Sequence, residues 1–141
     1  MDPRFAELAD LVIDLARELR IRGGTPLNQT QSQVMRFVHG HPGRKASEIA
    51  DRTGLKRANV SAAITELRDL GFLTSRRDDK DGRAVRIDAT PKAEATLHEL
   101  RSSWSGLLAS TWGPETTDLD PLIARLRSVL HALPAKAEDQ R

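Results

Sequence analysis

A cluster of small, hydroxyl and basic side chains on one predicted helix is the part of this sequence best suited to bind a partner. The helix is predicted from about Lys56 to Leu70, and Gly71, which suits a left-handed helix end, terminates it. At about 100° per residue, one sector of this helix presents short polar side chains that allow close approach. We predict that this sector enters a nucleic-acid groove through Arg57, Ala58, Asn59, Ser61, Ala62, Thr65 and Arg68.

The neighbouring residues predict a helix-turn-helix unit around this helix. Its opposite sector carries Val60, Ile64 and Leu67, so that face is expected to be buried. The preceding segment SEIADRTG predicts a short helix that Gly54 ends. Two helices joined by a tight glycine-containing turn are typical of a helix-turn-helix.

Two short strands are predicted directly after the two helices. The runs FLTSRRD and AVRIDA have strand-forming composition, and the Asp81-Gly82 step between them indicates a hairpin turn. Alternation in the second run predicts that Val85, Ile87 and Ala89 share a buried face. A helix-turn-helix followed by a basic hairpin is a winged helix. This combination favours DNA binding over an unrelated packing hairpin.

Basic residues of the hairpin could contact DNA in different ways. Arg83 lies one residue beyond the turn, beside Gly82, and a guanidinium there could enter a minor groove, where narrow A·T tracts concentrate negative potential. The alternative is that Arg83 is a solvated turn residue. Strand alternation points Arg76 and Arg77 to opposite faces, and we assign Arg77 to the DNA contacts. Phosphates or solvent, not bases, are the expected partners of Arg76, Arg77, Lys80 and Arg86.

The segment from Leu27 to Ala95 resembles the DNA-binding core of the MarR family of bacterial transcription regulators. One departure is Lys56, which stands where the family usually has a Ser or Thr helix cap, so the start of that helix is expected to be less well capped. The features that carry the resemblance are Leu27, Gln31, Pro42-Gly43, Glu48-Ile49-Ala50, Gly54, Val60-Ser61, Leu67, Gly71, Leu73, Arg76, Asp78, Asp81-Gly82-Arg83 and Thr90-Pro91.

The resemblance implies a role for each group at the hairpin tip. An arginine matched by Arg83 enters the minor groove, and an acidic neighbour matched by Asp81 holds it in position. Asp78 or Asp79 could share that supporting role. The resemblance also implies a homodimer that binds a roughly palindromic operator, more often as a repressor.

Leucine-rich seams at both ends of the chain predict helices that pack against other helices. Apolar residues recur there at alternating three- and four-residue spacing. Each seam could cover its own domain, but we predict contact with a second chain, which the resemblance also implies. We therefore expect residues 1–141 to form one domain, with dimerisation helices at 1–22 and 91–134 around a DNA-binding core at 27–90, and a frayed tail at 135–141. The predicted interface residues are Phe5, Leu8, Val12, Leu15, Leu119, Leu122, Leu126, Val129 and Leu133.

Composition excludes several classes of protein. The chain has 141 residues and no cysteine, so disulfides and thiolate metal sites are excluded. The net charge of +2 is a weak argument for nucleic acid, but residues 45–92 hold 11 basic and 8 acidic side chains, a local balance of +3. No apolar run approaches the length of a membrane span, and no signal peptide is evident. We expect a cytoplasmic protein without a membrane partner.

Other chemistry finds little support in the sequence. His39 and His41, two residues apart, do not share a helix face, so neither a metal site nor a cofactor is expected. Ser61 and Thr65 lack a partner at catalytic spacing, so an enzyme is not expected. Trp104 and Trp112 belong either to the core or dimer interface, or to a cavity for a small aromatic or lipophilic effector, as the resemblance implies.

The sequence therefore predicts a mainly α fold with a small β-hairpin wing, acting as a DNA-binding transcription regulator. The alternative is a winged-helix module that binds another protein. That alternative would require an apolar patch on the exposed helix face, which the sequence lacks.

Overall fold

The computed structural model describes residues 1–134, and the predicted frayed tail, 135–141, lies outside the described residues. The predicted fold class, mainly α with a small β-hairpin, is confirmed. The elements in chain order are α1 (Arg4–Arg22), α2 (Gln29–Gly40), α3 (Ala46–Thr53), α4 (Arg57–Asp69), β1 (Leu73–Arg77), β2 (Val85–Ala89), α5 (Pro91–Trp112) and α6 (Leu119–Ala132).

The chain divides into two compact units, with the boundary inside α5. The first unit runs from Met1 to Trp104, and the second begins at Ser105. The first contains α1 to β2 and the start of α5, so the whole winged helix-turn-helix lies in it. The second contains the end of α5 and α6. That residues 1–141 act as a single domain stays a prediction.

The residues that end α3 and α4 explain the helix-turn-helix. Gly54 ends α3 with a φ of 69°, a left-handed conformation that glycine adopts without steric cost. Lys56 precedes α4 and supplies no side-chain cap, as predicted. At the other end, Gly71 has a φ of 81°, and the Phe72 N–H donates to the Leu67 carbonyl at 2.9 Å, which closes a Schellman turn. α4 is one residue shorter at each end than the predicted helix.

The core of the first unit forms between α2, α3, α4 and the hairpin. α4 buries Val60, Ile64 and Leu67, each at most 4% exposed, which confirms the predicted apolar face. Ala63, which the sequence pattern did not single out, is buried beside them. The other core residues are Val34, Met35, Val38, Ile49, Ala50, Phe72, Leu73, Ile87 and Ala93.

β1 and β2 form the predicted antiparallel hairpin, here called the wing together with their connection. Its register pairs Leu73 with Ala89 and Arg77 with Val85. On the opposite edge of β2, the Ile87 N–H donates to the Arg44 carbonyl at 3.0 Å. The end of the wing nearest the core is therefore held on both sides.

The exposure of Val85 differs from the buried position that strand alternation predicted for it in β2. Ile87 is buried, but Val85 is 45% exposed and does not pack against the core. Val85 pairs with Arg77 at the outer end of the strands. The wing projects there beyond the apolar residues that cover Ile87, so the pattern of one buried face ends with the core.

α1 and α6 bury none of their residues, in contrast to the helices of the core. Of the nine predicted interface residues, eight are exposed and Leu119 is partly exposed. The apolar seam of each helix is thus uncovered within its own unit.

Candidate nucleic-acid interface

One face of α4 is exposed and carries short side chains. Ala58, Ser61, Ala62 and Thr65 are all exposed, opposite the buried apolar residues of the same helix. The Thr65 hydroxyl donates to the Ser61 carbonyl at 3.1 Å, which leaves its oxygen able to accept a hydrogen bond from a partner. A base edge or backbone can therefore approach this face closely. The structure brings every predicted α4 contact residue to this surface: Arg57, Ala58, Asn59, Ser61, Ala62, Thr65 and Arg68.

The two arginines that flank this face are held differently. Arg57 Nη2 lies 3.9 Å from Asp51 Oδ1, and both side chains are largely exposed, so this ion pair restrains Arg57 weakly. Arg68 Nη1 donates to the Ser75 hydroxyl at 2.7 Å, which ties α4 to β1. Arg57 can reorient toward an approaching phosphate, whereas Arg68 is placed in advance.

A contact missing from the sequence prediction joins α2 to the edge of this face. Gln31 Nε2 donates to Glu66 Oε2 at 2.6 Å. The same Gln31 completes a capping box, since its side-chain oxygen accepts from the Asn28 N–H at 3.1 Å. The spacing of Asn28 and Gln31 is the sequence signature of a capping box, so the orientation of Gln31 could have been anticipated. Its long-range partner Glu66 could not.

The wing tip, residues 79–84, presents Arg83 to solvent. Arg83 and Gly82 are exposed, and Arg77 Nη1 donates to the Gly82 carbonyl at 3.0 Å across the tip. Asp81 Oδ1 accepts the backbone N–H of Arg83 at 3.1 Å. Within the described residues, the Arg83 guanidinium forms no ion pair, so Asp81 shapes the turn while the arginine head extends outward. That Arg83 enters a minor groove and that Asp81 supports it stay predictions.

Two arginines at the base of the wing, Arg86 and Arg76, form ion pairs that were not predicted. Arg86 Nη2 pairs with Asp78 Oδ2 at 2.7 Å, and its Nη1 donates to the Gly43 carbonyl at 3.0 Å. Arg76 pairs with Asp88 at 2.8 Å. Arg86 was expected to meet phosphates or solvent but carries an internal ion pair instead, whereas Arg76, whose side chain is 57% exposed, keeps the expected contact with solvent beside its ion pair.

Asp78 takes part in these ion pairs through its bond with Arg86. The Arg86 guanidinium lowers the pKa of the Asp78 carboxyl, and the Asp78 carboxylate raises the pKa of Arg86. Hydrogen bonds from the Lys45 N–H and the Arg44 side chain lower the pKa of Glu48, which lies 3.7 Å from Arg86. Asp78 is therefore bonded at the wing base, and a shared role for Asp78 or Asp79 in supporting Arg83 stays a prediction.

A cavity of about 710 Å³ opens within the first unit. Its walls come from α1, α2, the segment between them, Phe72 and the first part of α5. Trp104 lines it, as one of the two alternatives for this residue predicted, whereas Trp112 lies in the second unit and is not a lining residue. The apolar part of the wall consists of Ile13, Ala16, Leu19, Leu27, Met35, Phe72, Ala93, Leu97, Leu100 and Trp104.

Trp104 is fixed at the cavity wall by the end of α1. Its indole N–H donates to the Leu19 carbonyl at 3.0 Å. A Cβ at Gly23 would lie 2.5 Å from Trp104 Nε1 and 2.6 Å from the Leu19 carbonyl oxygen, so only glycine fits there without displacement. The packing of this one side chain thus depends on a glycine 81 positions earlier in the chain.

The charged side chains that line the cavity are all positive. Arg17, Arg20 and Arg36 contribute to its wall, and no Asp or Glu lines it. Arg17 has an exposed ion pair with Asp14 at 3.2 Å, which is weak enough to exchange for a bound anion. An apolar cavity with cations at its edge suits an amphipathic organic anion.

Other kinds of site are not evident along residues 1–134. These residues include no group of three acidic, histidine or cysteine side chains arranged to hold a metal ion. The His41 ring stacks on Phe37 with centroids 4.4 Å apart, and its Nδ1 lies 3.1 Å from the Phe37 carbonyl oxygen. No helix in this part of the chain combines the length and apolarity needed to cross a bilayer.

Comparisons with known proteins agree with this architecture. The family model that matches is described as MarR family and covers residues 24–84. A MarR family protein from Bacillus stearothermophilus has a TM-score of 0.71 at 20% identity, covering 93% of this chain and 96% of its own. The transcriptional repressor CouR, solved with a 23-mer DNA duplex, has a TM-score of 0.66 at 22% identity, covering 88% and 89%.

A third similar structure contains a ligand. The PcaV transcriptional regulator from Streptomyces coelicolor, solved in complex with its natural ligand, has a TM-score of 0.65 at 20% identity, covering 94% of this chain and 96% of its own. At these identities the likeness shows a shared fold. No curated protein matches the chain in sequence.

Together, the turn between α3 and α4, the exposed polar face of α4 and the basic wing define a winged helix-turn-helix protein. The family match specifies the kind. Residues 24–84 match the model of the MarR family, and the chain has the fold of solved MarR-family structures, which confirms the resemblance seen in the sequence.

Proposed function

We propose that this protein regulates transcription by binding a pseudo-palindromic DNA operator as a homodimer. The observation that carries the proposal is the pairing of an exposed, short-chained face on α4 with a solvent-directed arginine at the adjacent wing tip. α4 lies in a major groove, and Arg83 reaches toward the neighbouring minor groove. Side chains on α4 read base edges, while Arg57, Arg68 and Arg77 contact phosphates.

The uncovered apolar seams of α1 and α6 support the proposed homodimer. Each helix exposes leucine-sized residues at three- and four-residue spacing, a pattern that a second helix covers. A two-fold dimer binds half-sites about one helical turn apart. Repression is the outcome we propose, in line with the repressor CouR, and the protein acts in the cytoplasm.

The cavity supports regulation by a small effector. Its apolar wall and its three arginines suit a small aromatic or lipophilic acid. The PcaV transcriptional regulator, which has this fold, was solved in complex with its natural ligand, and this supports the presence of a ligand site. Release of DNA on effector binding is the regulatory step we propose.

The alternative, a winged-helix module that binds another protein, has less support. A partner helix would need large apolar side chains on the exposed face of α4, and that face has none between Ala58 and Thr65. Selection of bound sequences from a random duplex pool, followed by footprinting, tests the proposal. Enrichment of a pseudo-palindrome supports it, and a pool that stays random at low salt rejects it.

Side chains on α4 should separate base recognition from charge. Thr65→Ala or Ser61→Ala is expected to weaken operator binding by about 1–3 kcal/mol with little effect on random duplex, because a base contact is lost. Arg57→Ala is expected to weaken both alike and to reduce the salt slope by about one unit. Arg101→Ala, an exposed arginine on α5, is the matched control. Equal losses for all three α4 variants would contradict the proposed insertion of the helix.

A further inference from the structure

The C-terminal end of α4 is held by the start of α5 through three hydrogen bonds. Lys92 Nζ donates to the Leu70 carbonyl at 2.6 Å. The Thr90 hydroxyl donates to the Gly71 carbonyl at 2.6 Å, and the Thr90 N–H donates to the Phe72 carbonyl at 3.0 Å. We call this set, Thr90 and Lys92 with the carbonyls of residues 70–72, the C-terminal clamp. It satisfies the carbonyls of the cap residue Leu70 and of the two residues after it, which would otherwise be left to water.

The opposite end of α4 has no such support. Lys56 provides no side-chain cap there, and the first turn of α4 is exposed apart from Val60. A cation at a helix C-terminus also interacts favourably with the helix dipole, so Lys92 stabilises the clamped end by charge as well as by its hydrogen bond. The orientation of the DNA-contacting face therefore depends on core packing, on the bonds of Glu66 to Gln31 and of Arg68 to Ser75, and on the clamp.

Phe72 connects the clamp to the cavity. Lys92 Nζ lies 5.0 Å from the centroid of the Phe72 ring, a cation–π distance. The same ring is buried and lines the cavity, next to Ala93 of α5. A molecule in the cavity would therefore touch Phe72, whose ring lies under the Lys92 ammonium shortly after the end of α4.

We propose that Lys92 is a positioning residue for the DNA contact made by α4, and that Phe72 transmits occupation of the cavity to this clamp. The inference rests on the proposed function, since it assigns the means by which operator binding is held and regulated. Lys92 is exposed, but it acts through the Leu70 carbonyl and not by contact with a phosphate.

The first experiment compares Lys92→Met, Lys92→Arg and wild type on the selected operator and on random duplex. Methionine keeps the length of the side chain but neither donates a hydrogen bond nor carries charge. We expect operator affinity to fall about fivefold, with random-duplex affinity and salt slope unchanged. Arginine should restore operator affinity, because it donates to a carbonyl and stacks on an aromatic ring.

Lys56→Met is the matched control at the other end of the same helix. Loss of this exposed cation should weaken both duplexes alike and lower the salt slope. The same behaviour in Lys92→Met would overturn the inference, because it would make Lys92 a phosphate contact. Wild-type operator binding by Lys92→Met would overturn it as well. A wild-type chain that binds no duplex would instead reject the proposed function itself, and thermal unfolding confirms that each variant is folded.

The second experiment tests transmission with 2-naphthoate, an aromatic carboxylate, as the probe. In a Trp112→Phe background, Trp104 is the only tryptophan and reports binding in the cavity by quenching. We expect 2-naphthoate to weaken operator binding of this protein. In the Phe72→Leu and Lys92→Met variants of this protein, 2-naphthoate should still quench Trp104. The factor by which it weakens operator binding should be at least about threefold smaller than in the parent protein.

Two outcomes of the second experiment would overturn transmission through Phe72. One is an undiminished effect of 2-naphthoate in both variants, which would mean another route. The other is absence of Trp104 quenching in the parent protein, which would remove the cavity from the proposal. The positioning role of Lys92 is decided independently by the first experiment.

Discussion

The winged helix-turn-helix and the terminal helices use their apolar residues in opposite ways. In the former, residues such as Leu67 and Ile49 have no exposed surface, and the exposed face of α4 carries short polar groups. On α1 and α6, Phe5 is 66% exposed and Val129 is 48% exposed. The first region completes its core within one chain and leaves a polar surface free for DNA. The second region leaves apolar surface exposed, and we propose that a second copy of the chain covers it.

The largest expected effect comes from breaking the apolar seam of α6. Leu126→Asp would place a carboxylate in the proposed interface at a cost of several kcal/mol. We expect monomers or unfolded chains and loss of operator binding, because both half-sites are needed. Leu15→Asp should do the same on α1. Sedimentation measures the assembly, and Ser128→Asp, off the seam of α6, is the control. A folded Leu126→Asp dimer would remove α6 from the interface.

A substitution in the core of the winged helix-turn-helix should test the comparison with the terminal helices. Its effect on the free energy of unfolding should come from packing within one chain. Leu67→Ala removes a fully buried side chain, so the free energy of unfolding should fall by about 2–5 kcal/mol. This loss should be nearly independent of protein concentration. The effect of Leu126→Ala, in contrast, should grow as the protein is diluted. Denaturant unfolding at two concentrations measures both, and equal concentration dependence would contradict the division of roles.

Arg83→Ala should show that the polar surface of the winged segment serves binding and not stability. Unfolding free energy should change by no more than about 0.5 kcal/mol, because the guanidinium makes no ion pair within residues 1–134. Operator affinity should fall at least about tenfold, since a minor-groove arginine supplies charge and shape recognition. Arg83→Lys should restore only part of it. Fluorescence anisotropy on one operator at one salt concentration measures all variants.

A general charge effect of the wing makes different predictions. It would let Arg83→Lys bind like wild type and would let Asp81→Ala bind more tightly. In our proposal, Asp81→Ala binds more weakly, because the turn that presents Arg83 loses its hydrogen bond from Asp81. Unchanged binding by Arg83→Ala would reject both explanations.

The smallest expected effect concerns the wing base at acid pH. The pKa of Asp78 is lowered from its ordinary value of 3.8, mainly by Arg86, so its ion pair stabilises the folded protein above that value. This contribution should disappear as the pH falls through the lower folded-state pKa. The stability difference between wild type and Asp78→Asn should therefore stay constant well above pH 3.8 and shrink as the pH falls below that value. Asp79→Asn, at the exposed wing tip, is the control, and a difference that stays constant with pH would contradict the pairing.

Local patterns in the sequence were enough to predict most of the winged segment. The period of Val60, Ile64 and Leu67, the glycine at position 71 and the Asp81-Gly82 step each specify a local conformation. Their effects act over a few residues, so they do not depend on the rest of the fold. The helix bounds were accordingly correct to within one residue for α4.

Long-range partners are what the sequence could not provide. From the sequence, Arg86 was predicted to be a surface cation. In the fold, its guanidinium donates to the Gly43 carbonyl, 43 positions away in the chain. Val85 read as buried because strand alternation does not show where the core ends. A cavity beside Trp104 was one of two alternatives for that residue, but its other lining residues could not be predicted, since residues from Ile13 to Trp104 meet at its wall.

The wing base has a thermodynamic consequence for the proposed complex. Arg86 joins the wing to the Gly43 carbonyl, Ile87 is bonded to Arg44, and Arg68 of α4 is bonded to Ser75 of β1, so the spacing between the wing base and α4 is restrained before any partner arrives. A preorganised protein loses little conformational entropy on binding. The duplex must then deform to match that spacing. Sites with easily bent pyrimidine–purine steps between the two grooves should be preferred, even at base pairs that no side chain touches.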